Sequence, residues 1–192
     1  MHKNGPLLSS RNRLSDGRML YLRAIQPKDR HSLREELFLK LSPESLRNRF
    51  MALKQELSPV ELKYFTDVDF LHHVALVAEI DCDSHRRLVG VGRFVRADRE
   101  SNHAEIALTV IDAFQGKGIG GLLLQQLIGC ARELGVKRLD GSMFAQNMRM
   151  ANLLRNTRLH CHSSHESGVI SMSLDLRRQA GISSHRNDCP SG

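Results

Sequence analysis

Tryptophan is absent from this 192-residue chain, and tyrosine occurs only twice. Stacking on nucleic-acid bases relies on flat rings interleaved with cations, so this poverty argues against such a partner. The formal charge of +7 does not reverse the argument, because it is concentrated at the ends. Residues 1–18 carry a net +3 and residues 177–192 a net +2, which leaves +2 for everything between them and no basic stripe. Long apolar runs are missing as well. VALVA and LTVI fall far short of the roughly 20 residues that cross a bilayer, and no continuous apolar segment opens the chain; a cytoplasmic protein without a membrane partner is expected. Cys82, Cys130, Cys161 and Cys189 form no CxxC pair in a chain large enough to fold without staples, so reduced thiols are expected. Internal repeats and low-complexity tracts are also absent.

What is present fits one globular domain: 41% hydrophobic and 26% charged residues over a length that can bury a real core. Residues 1–18 read as a flexible basic tail or a stray initial strand. Met19 to Ile25 alternates as a strand should. Pro27 and Asp29 then open a helix with Leu33, Leu37 and Leu41 on one face, and the Ser-Pro pairs at 42–43 and 58–59 open two shorter ones. Val74 to Ile80, Leu88 to Val95 and Glu105 to Ile111 are apolar, β-branched segments joined by short turns, and such strands must run antiparallel. A helix from about Gly118 carries Ile119, Leu122, Leu123, Leu127 and Ile128 at helical spacing. The strand Leu139 to Ala145 can only return parallel through that crossover. A helix over 147–158, a strand over 169–176 and a polar tail over 177–192 complete the reading. The expected fold class is α/β (α+β): a mixed, mostly antiparallel twisted sheet flanked by helices, over 19–176.

The stretch with chemical content is the turn between the third meander strand and the long helix. Gly116, Gly118, Gly120 and Gly121 stand there beside Gln115 and Lys117. Glycines at a helix mouth let backbone N–H groups approach a ligand, and those unpaired donors with the helix dipole favour a phosphate. A dinucleotide fingerprint fits Gly116, Gly118 and Gly121 in spacing, with Asp140 near the acidic position. However, residues 112–115 separate strand from first glycine, and only 71 residues follow Gly121. A nucleotide-hydrolase phosphate loop is excluded because Lys117 is followed by Gly118, not by Ser or Thr.

Gln115-Gly116-Lys117-Gly118-Ile119-Gly120 resembles the pyrophosphate loop of the GNAT superfamily of acetyltransferases. Further stretches are similar to its bacterial protein-lysine acetyltransferase branch: Ser42-Pro43-Glu44-Ser45 with Arg49-Phe50, residues 88–93, residues 104–107, and Asn147-Met148-Arg149-Met150. The resemblance implies a GNAT-like acyl-CoA N-acyltransferase fold and acetyl-CoA as co-substrate, with no metal. Backbone N–H groups of Gly116, Lys117, Gly118, Ile119, Gly120 and Gly121 would hold the pyrophosphate, Gln115 belongs to the motif, and the Lys117 side chain would add charge or simply be solvated. The pantetheine arm would lie along Val110 and Ile111, with an N–H near Val110 for the oxyanion. Asn147 matches a cofactor-contacting position and equally suits a helix cap.

Acetyl transfer needs a free amine, yet a lysine of pKa near 10.4 is only about 0.04% neutral at pH 7. Glu105 aligns with the general base of the lysine-acetylating branch, and its apolar neighbours are expected to desolvate it; the plainer role is an outward strand carboxylate. The tyrosine that serves many members as general acid has no counterpart near Leu154, and the Gly-Phe that follows it there is Arg158-Leu159 here. The expected activity is acetylation of protein lysines. The alternatives are acetylation of a small amine, such as a polyamine, amino acid or antibiotic, and a non-catalytic acetyl-CoA-binding module. Asp67, Asp69 and Glu79 are candidates for an acidic substrate rim, and His160, Cys161, His162 and His165 match no zinc spacing.

Overall fold

A computed structural model describes residues 8–82, 85–98 and 100–177. Eight strands enter one sheet: β1 (Ser10–Arg13), β2 (Met19–Ala24), β3 (His73–Cys82), β4 (His85–Val95), β5 (His103–Val110), β6 (Arg138–Phe144), β7 (Cys161–Glu166) and β8 (Val169–Asp175). Their order is β1-β2-β3-β4-β5-β6-β8-β7, and every neighbouring pair is antiparallel except β5–β6. The helices are α1 (Arg30–Ser32), α2 (Pro43–Phe50), α3 (Pro59–Thr66), α4 (Ile119–Glu133) and α5 (Met148–Asn156). No helix among the described residues is long and apolar enough to cross a membrane.

The meander and its crossover helix position everything else. α4 buries Ile119, Leu123, Leu127 and Ile128 of the stripe read from spacing, together with Leu124, against β3, β4 and β5, while Leu122 is only partly buried. Gly92 makes this close approach possible: a Cβ there would stand 2.8 Å from Leu108 Cδ2 and Leu127 Cδ1. Side chains alternate across a strand, so Arg93, next to Gly92, points to the opposite face, where its guanidinium lies over the Phe65 ring of α3 at 4.5 Å. The sheet is thus covered by α4 on one face and by α2 and α3 on the other. Ser42 and Ser58 cap α2 and α3 by accepting from the N–H groups of Ser45 and Glu61, and a proline occupies the first turn of each helix.

Three segments differ from the sequence reading. Residues 10–18, read as part of a tail or as an initial strand, supply β1 and a turn whose Leu14 is buried. The helix expected after Pro27 is broken into 3-10, α and π turns over 27–40. The slip lets Glu36 accept from the Leu88 N–H at 2.7 Å, the amide beside the register shift between β3 and β4, while Leu33 and Leu37 stay buried. β7, a wholly exposed edge strand of sequence CHSSHE, carries no apolar alternation that would announce it. The turn residues 83 and 84, and the tail positions 1–7 and 178–192, lie outside the described residues.

Candidate functional site

The site begins where the sheet divides. β5 and β6 pair only through His103, Ala104 and Glu105 with Arg138, Leu139 and Asp140. Ile111 donates its N–H to Val89 O at 3.0 Å, so the alternation of the antiparallel ladder turns the N–H and C=O of Val110 away from β4 and toward β6. There the Val110 C=O accepts from Gln115 Nε2 at 2.9 Å. Beyond Glu105 the two strands no longer pair, and the Val110 N–H points into the resulting slot. Ile111 is buried beside it.

The glycine turn lies at the mouth of that slot. Gly116 and Gly118 adopt φ of 75° and 87°, and an added Cβ at either would meet nothing within 4 Å. The first α4 bond runs from Leu122 N–H to Gly118 O, so the N–H groups of Ile119, Gly120 and Gly121 precede the helical ladder and face outward with the helix dipole. Left-handed backbone over open space with converging N–H groups fits a phosphate-bearing ligand. Lys117 Nζ lies 3.4 Å from Asp16, and Arg18 Nε donates to the same carboxylate at 3.0 Å. Lys117 is therefore held at the rim by the β1–β2 turn.

Gln115 acts as an internal brace. Besides Val110 O, its Nε2 reaches Ser45 Oγ at 3.2 Å, and its Oε1 accepts from Arg149 of α5. Asp112 extends the brace, accepting from Ser42 N at 2.9 Å and from the hydroxyls of Ser42 and Ser45 at 2.8 Å each. Burial pushes the Asp112 carboxyl up, but these hydrogen bonds outweigh it and hold the group below its ordinary value. Asn147 caps α5, its side chain accepting from Met150 N–H at 3.1 Å.

Glu105 sits at the other end of the slot. It is exposed, so the desolvation expected from its apolar sequence neighbours is not found; those neighbours alternate onto the opposite face. An open groove of about 920 Å³ extends from it across the uncovered face of β6, β8 and β7. Pairing register sets two polar rows in it, Glu105–Asp140–Ser173–His162 and Ser142–Ser171–Ser164.

On the far side of Glu105 is a group that residue spacing did not single out. Arg93 is 4% exposed and donates to Phe65 O at 3.2 Å and to His73 Nε2 at 3.1 Å, while its Nε has no partner among the described residues. Burial, then the charge of Arg49, pushes its pKa down to about 9. Burial, then the charge of Arg93, pushes His73 down to about 4. Arg49 of α2 is lowered by burial as well, with the Glu105 charge opposing. The sequence signal was available: a lone arginine within the apolar segment LVGVGRFV. The acidic rim, by contrast, does not form. Glu79 is buried in an ion-pair network with Arg23 and Asp29, and Asp69 spends its carboxylate on the N–H groups of Leu71, His72 and His73. His160 and His162 lie ring against ring, centroids 4.2 Å apart, at the exposed edge.

Comparison with known proteins matches residues 38–156 to the acetyltransferase (GNAT) family. An acetyltransferase of Pseudomonas aeruginosa is 34% identical over 73% of this chain and 74% of its own length. Acetyltransferase Pat of Mycolicibacterium smegmatis is 31% identical over 72% of this chain, which spans only 40% of that longer protein. Among solved structures, the GNAT domain of S. lividans PAT superposes with a TM-score of 0.80 at 26% identity, covering 90% of this chain and 99% of that domain.

Proposed function

The chain belongs to the GNAT acetyltransferase family and is an acetyl-CoA-dependent N-acetyltransferase, and from that premise we propose that its acceptor is the side-chain amine of protein lysines. The observation that carries the choice of acceptor is the shape of the space beside Glu105. A small amine is best held in a closed pocket that excludes water, whereas this groove is open along three strands and lined by serine hydroxyls suited to a polypeptide backbone.

Acetyl-CoA supplies a thioester as the acyl donor. In this reading the N–H groups of 116–121 receive its pyrophosphate, with Lys117 adding positive charge at the rim. Val110 directs its N–H to the carbonyl oxygen that becomes negative as the amine attacks, and Gln115 fixes the orientation of that peptide by holding the Val110 C=O. Glu105 takes the proton that the amine loses as the C–N bond forms and the C–S bond breaks. The exposure of Glu105 in the free protein means that the acceptor itself must cover the carboxylate.

The test is thiol release from acetyl-CoA with a lysine peptide, a polyamine and free amino acids as acceptors. Glu105→Gln is expected to lower turnover about 100-fold or more, with acetyl-CoA affinity by calorimetry nearly unchanged. Near-normal turnover removes Glu105 from the mechanism, and selective use of the small amines overturns the choice of protein lysines.

A further inference from the structure

Two cations flank the glycine turn, and a single carboxylate from the β1–β2 turn holds both. Asp16 accepts from Arg18 Nε at 3.0 Å and from a terminal nitrogen of the same guanidinium, and it lies 3.4 Å from Lys117 Nζ. The Arg18 guanidinium lies over the Phe114 ring at 4.7 Å. Phe114 and Lys117 bracket Gln115 and Gly116, so these contacts set the β1–β2 turn against the start of the glycine turn. The β1–β2 turn is well fixed. Leu14 N–H donates to Arg18 O and Gly17 N–H to Leu14 O, both at 2.9 Å, Arg18 N–H donates to Asp16 Oδ1 at 3.2 Å, and Leu14 is part of the core.

The side chains of Arg18, Asp16 and Lys117 are 37%, 30% and 33% exposed, and ion pairs as open as these add little to stability. None of the other ion pairs among the described residues includes Arg18 or Lys117. Two cations against one carboxylate leave net positive charge beside the outward N–H groups of Ile119, Gly120 and Gly121. A phosphate brings more negative charge and more acceptor oxygens than a carboxylate, and it pairs strongly with a guanidinium. We propose that Asp16 is a built-in competitor of the coenzyme: it holds Arg18 and Lys117 in the free protein, and the phosphates of acetyl-CoA take both cations from it. Arg18 is then a coenzyme-binding residue supplied from outside the glycine motif. Asp16 lowers the affinity in proportion to the time it occupies the two cations. This rests on the reading of the glycine turn as the pyrophosphate site.

The experiment is calorimetric titration of acetyl-CoA, and of its 3′-dephospho form, into the wild-type protein, Arg18→Gln, Asp16→Asn and the double variant. Arg18→Gln is expected to weaken acetyl-CoA binding about fivefold and to make it less sensitive to salt, whereas Asp16→Asn strengthens it about threefold. In the double variant that gain shrinks, because in the Arg18→Gln background Asp16 competes for Lys117 alone. An Arg18→Gln penalty that persists with the 3′-dephospho form assigns Arg18 to the pyrophosphate, and one that disappears assigns it to the 3′-phosphate; either supports the inference. Unchanged affinity in Arg18→Gln overturns Arg18 as a ligand, and weaker or unchanged binding in Asp16→Asn overturns the competitor. Circular dichroism checks that each variant folds; Asn keeps an acceptor for the Arg18 N–H, and Asp16→Ser repeats the test should the amide disturb the turn. Gly118→Ala separates this inference from the reading beneath it. Lost acetyl-CoA affinity there, with none lost in Arg18→Gln, overturns only the role of Arg18 and Asp16, whereas intact affinity in both variants overturns the glycine turn as the phosphate site as well.

Discussion

His73 is a base that the fold keeps from taking a proton. Burial and the Arg93 charge lower it from 6.5 to about 4, and its Nε2 accepts from Arg93, a role only the neutral ring can fill. The unfolded chain therefore binds this proton more readily than the native one, so stability rises with pH between about 4 and 6.5 and is lost as pH falls through that window. Urea unfolding at pH 7 and pH 4 is expected to show about 3 kcal/mol of acid loss attributable to this group. His73→Gln, which retains an acceptor but no titration, flattens the profile by that amount. Arg158 offers the opposite kind of residue. It adopts φ of 55°, a left-handed backbone that favours glycine, and a side chain there costs roughly 1 kcal/mol. Arg158→Gly is expected to stabilise the protein by about that much in the same measurement.

At the scale of elements, α2 is held by a single carboxylate. Asp112, at the end of β5, takes the Ser42 N–H and the Ser42 and Ser45 hydroxyls, fixing the helix whose other end carries Arg47 and Arg49. Asp112→Ala is expected to cost roughly 2 to 3 kcal/mol in chemical denaturation, because hydrogen bonds to a charged group are lost and α2 loosens. Asp112→Asn, which keeps an acceptor oxygen, costs less. Ser42 was legible as a helix cap because capping is local chemistry written in three residues. The bonds of Ser42 and Ser45 to Asp112, 67 to 70 positions away, leave no local trace. The same division runs through the site. The glycine turn and the crossover helix could be read from spacing, since φ and periodicity are properties of a short segment. The exposure of Glu105 could not, because the apolar residues beside it in sequence face α4 while it faces the groove. β7 escaped for the same reason: a fully exposed strand has no buried face to impose alternation.

At the scale of the whole molecule, the sheet is two blades joined by a three-residue parallel contact between β5 and β6. The N-terminal blade brings the Val110 N–H and Glu105, and the C-terminal blade brings the groove and, through α5, the brace to Gln115. A ligand that enters the slot touches both, so its binding energy adds to the stability of the undivided sheet. At a concentration 100 times its dissociation constant, acetyl-CoA is expected to stabilise the protein by about 2.7 kcal/mol, a rise in melting temperature of roughly 5 to 10 °C for a chain of this size. Gly118 separates this effect from intrinsic stability. Its φ of 87° makes Gly118→Ala modestly strained, by about 1 kcal/mol, yet the new methyl group meets no protein atom and projects into the open space outside the glycine turn, where the proposed pyrophosphate would lie. The variant is therefore expected to melt slightly lower alone and to lose most of its acetyl-CoA shift. An undiminished shift would place the ligand's phosphates away from the glycine turn, and with them the acyl group away from Val110 and Glu105.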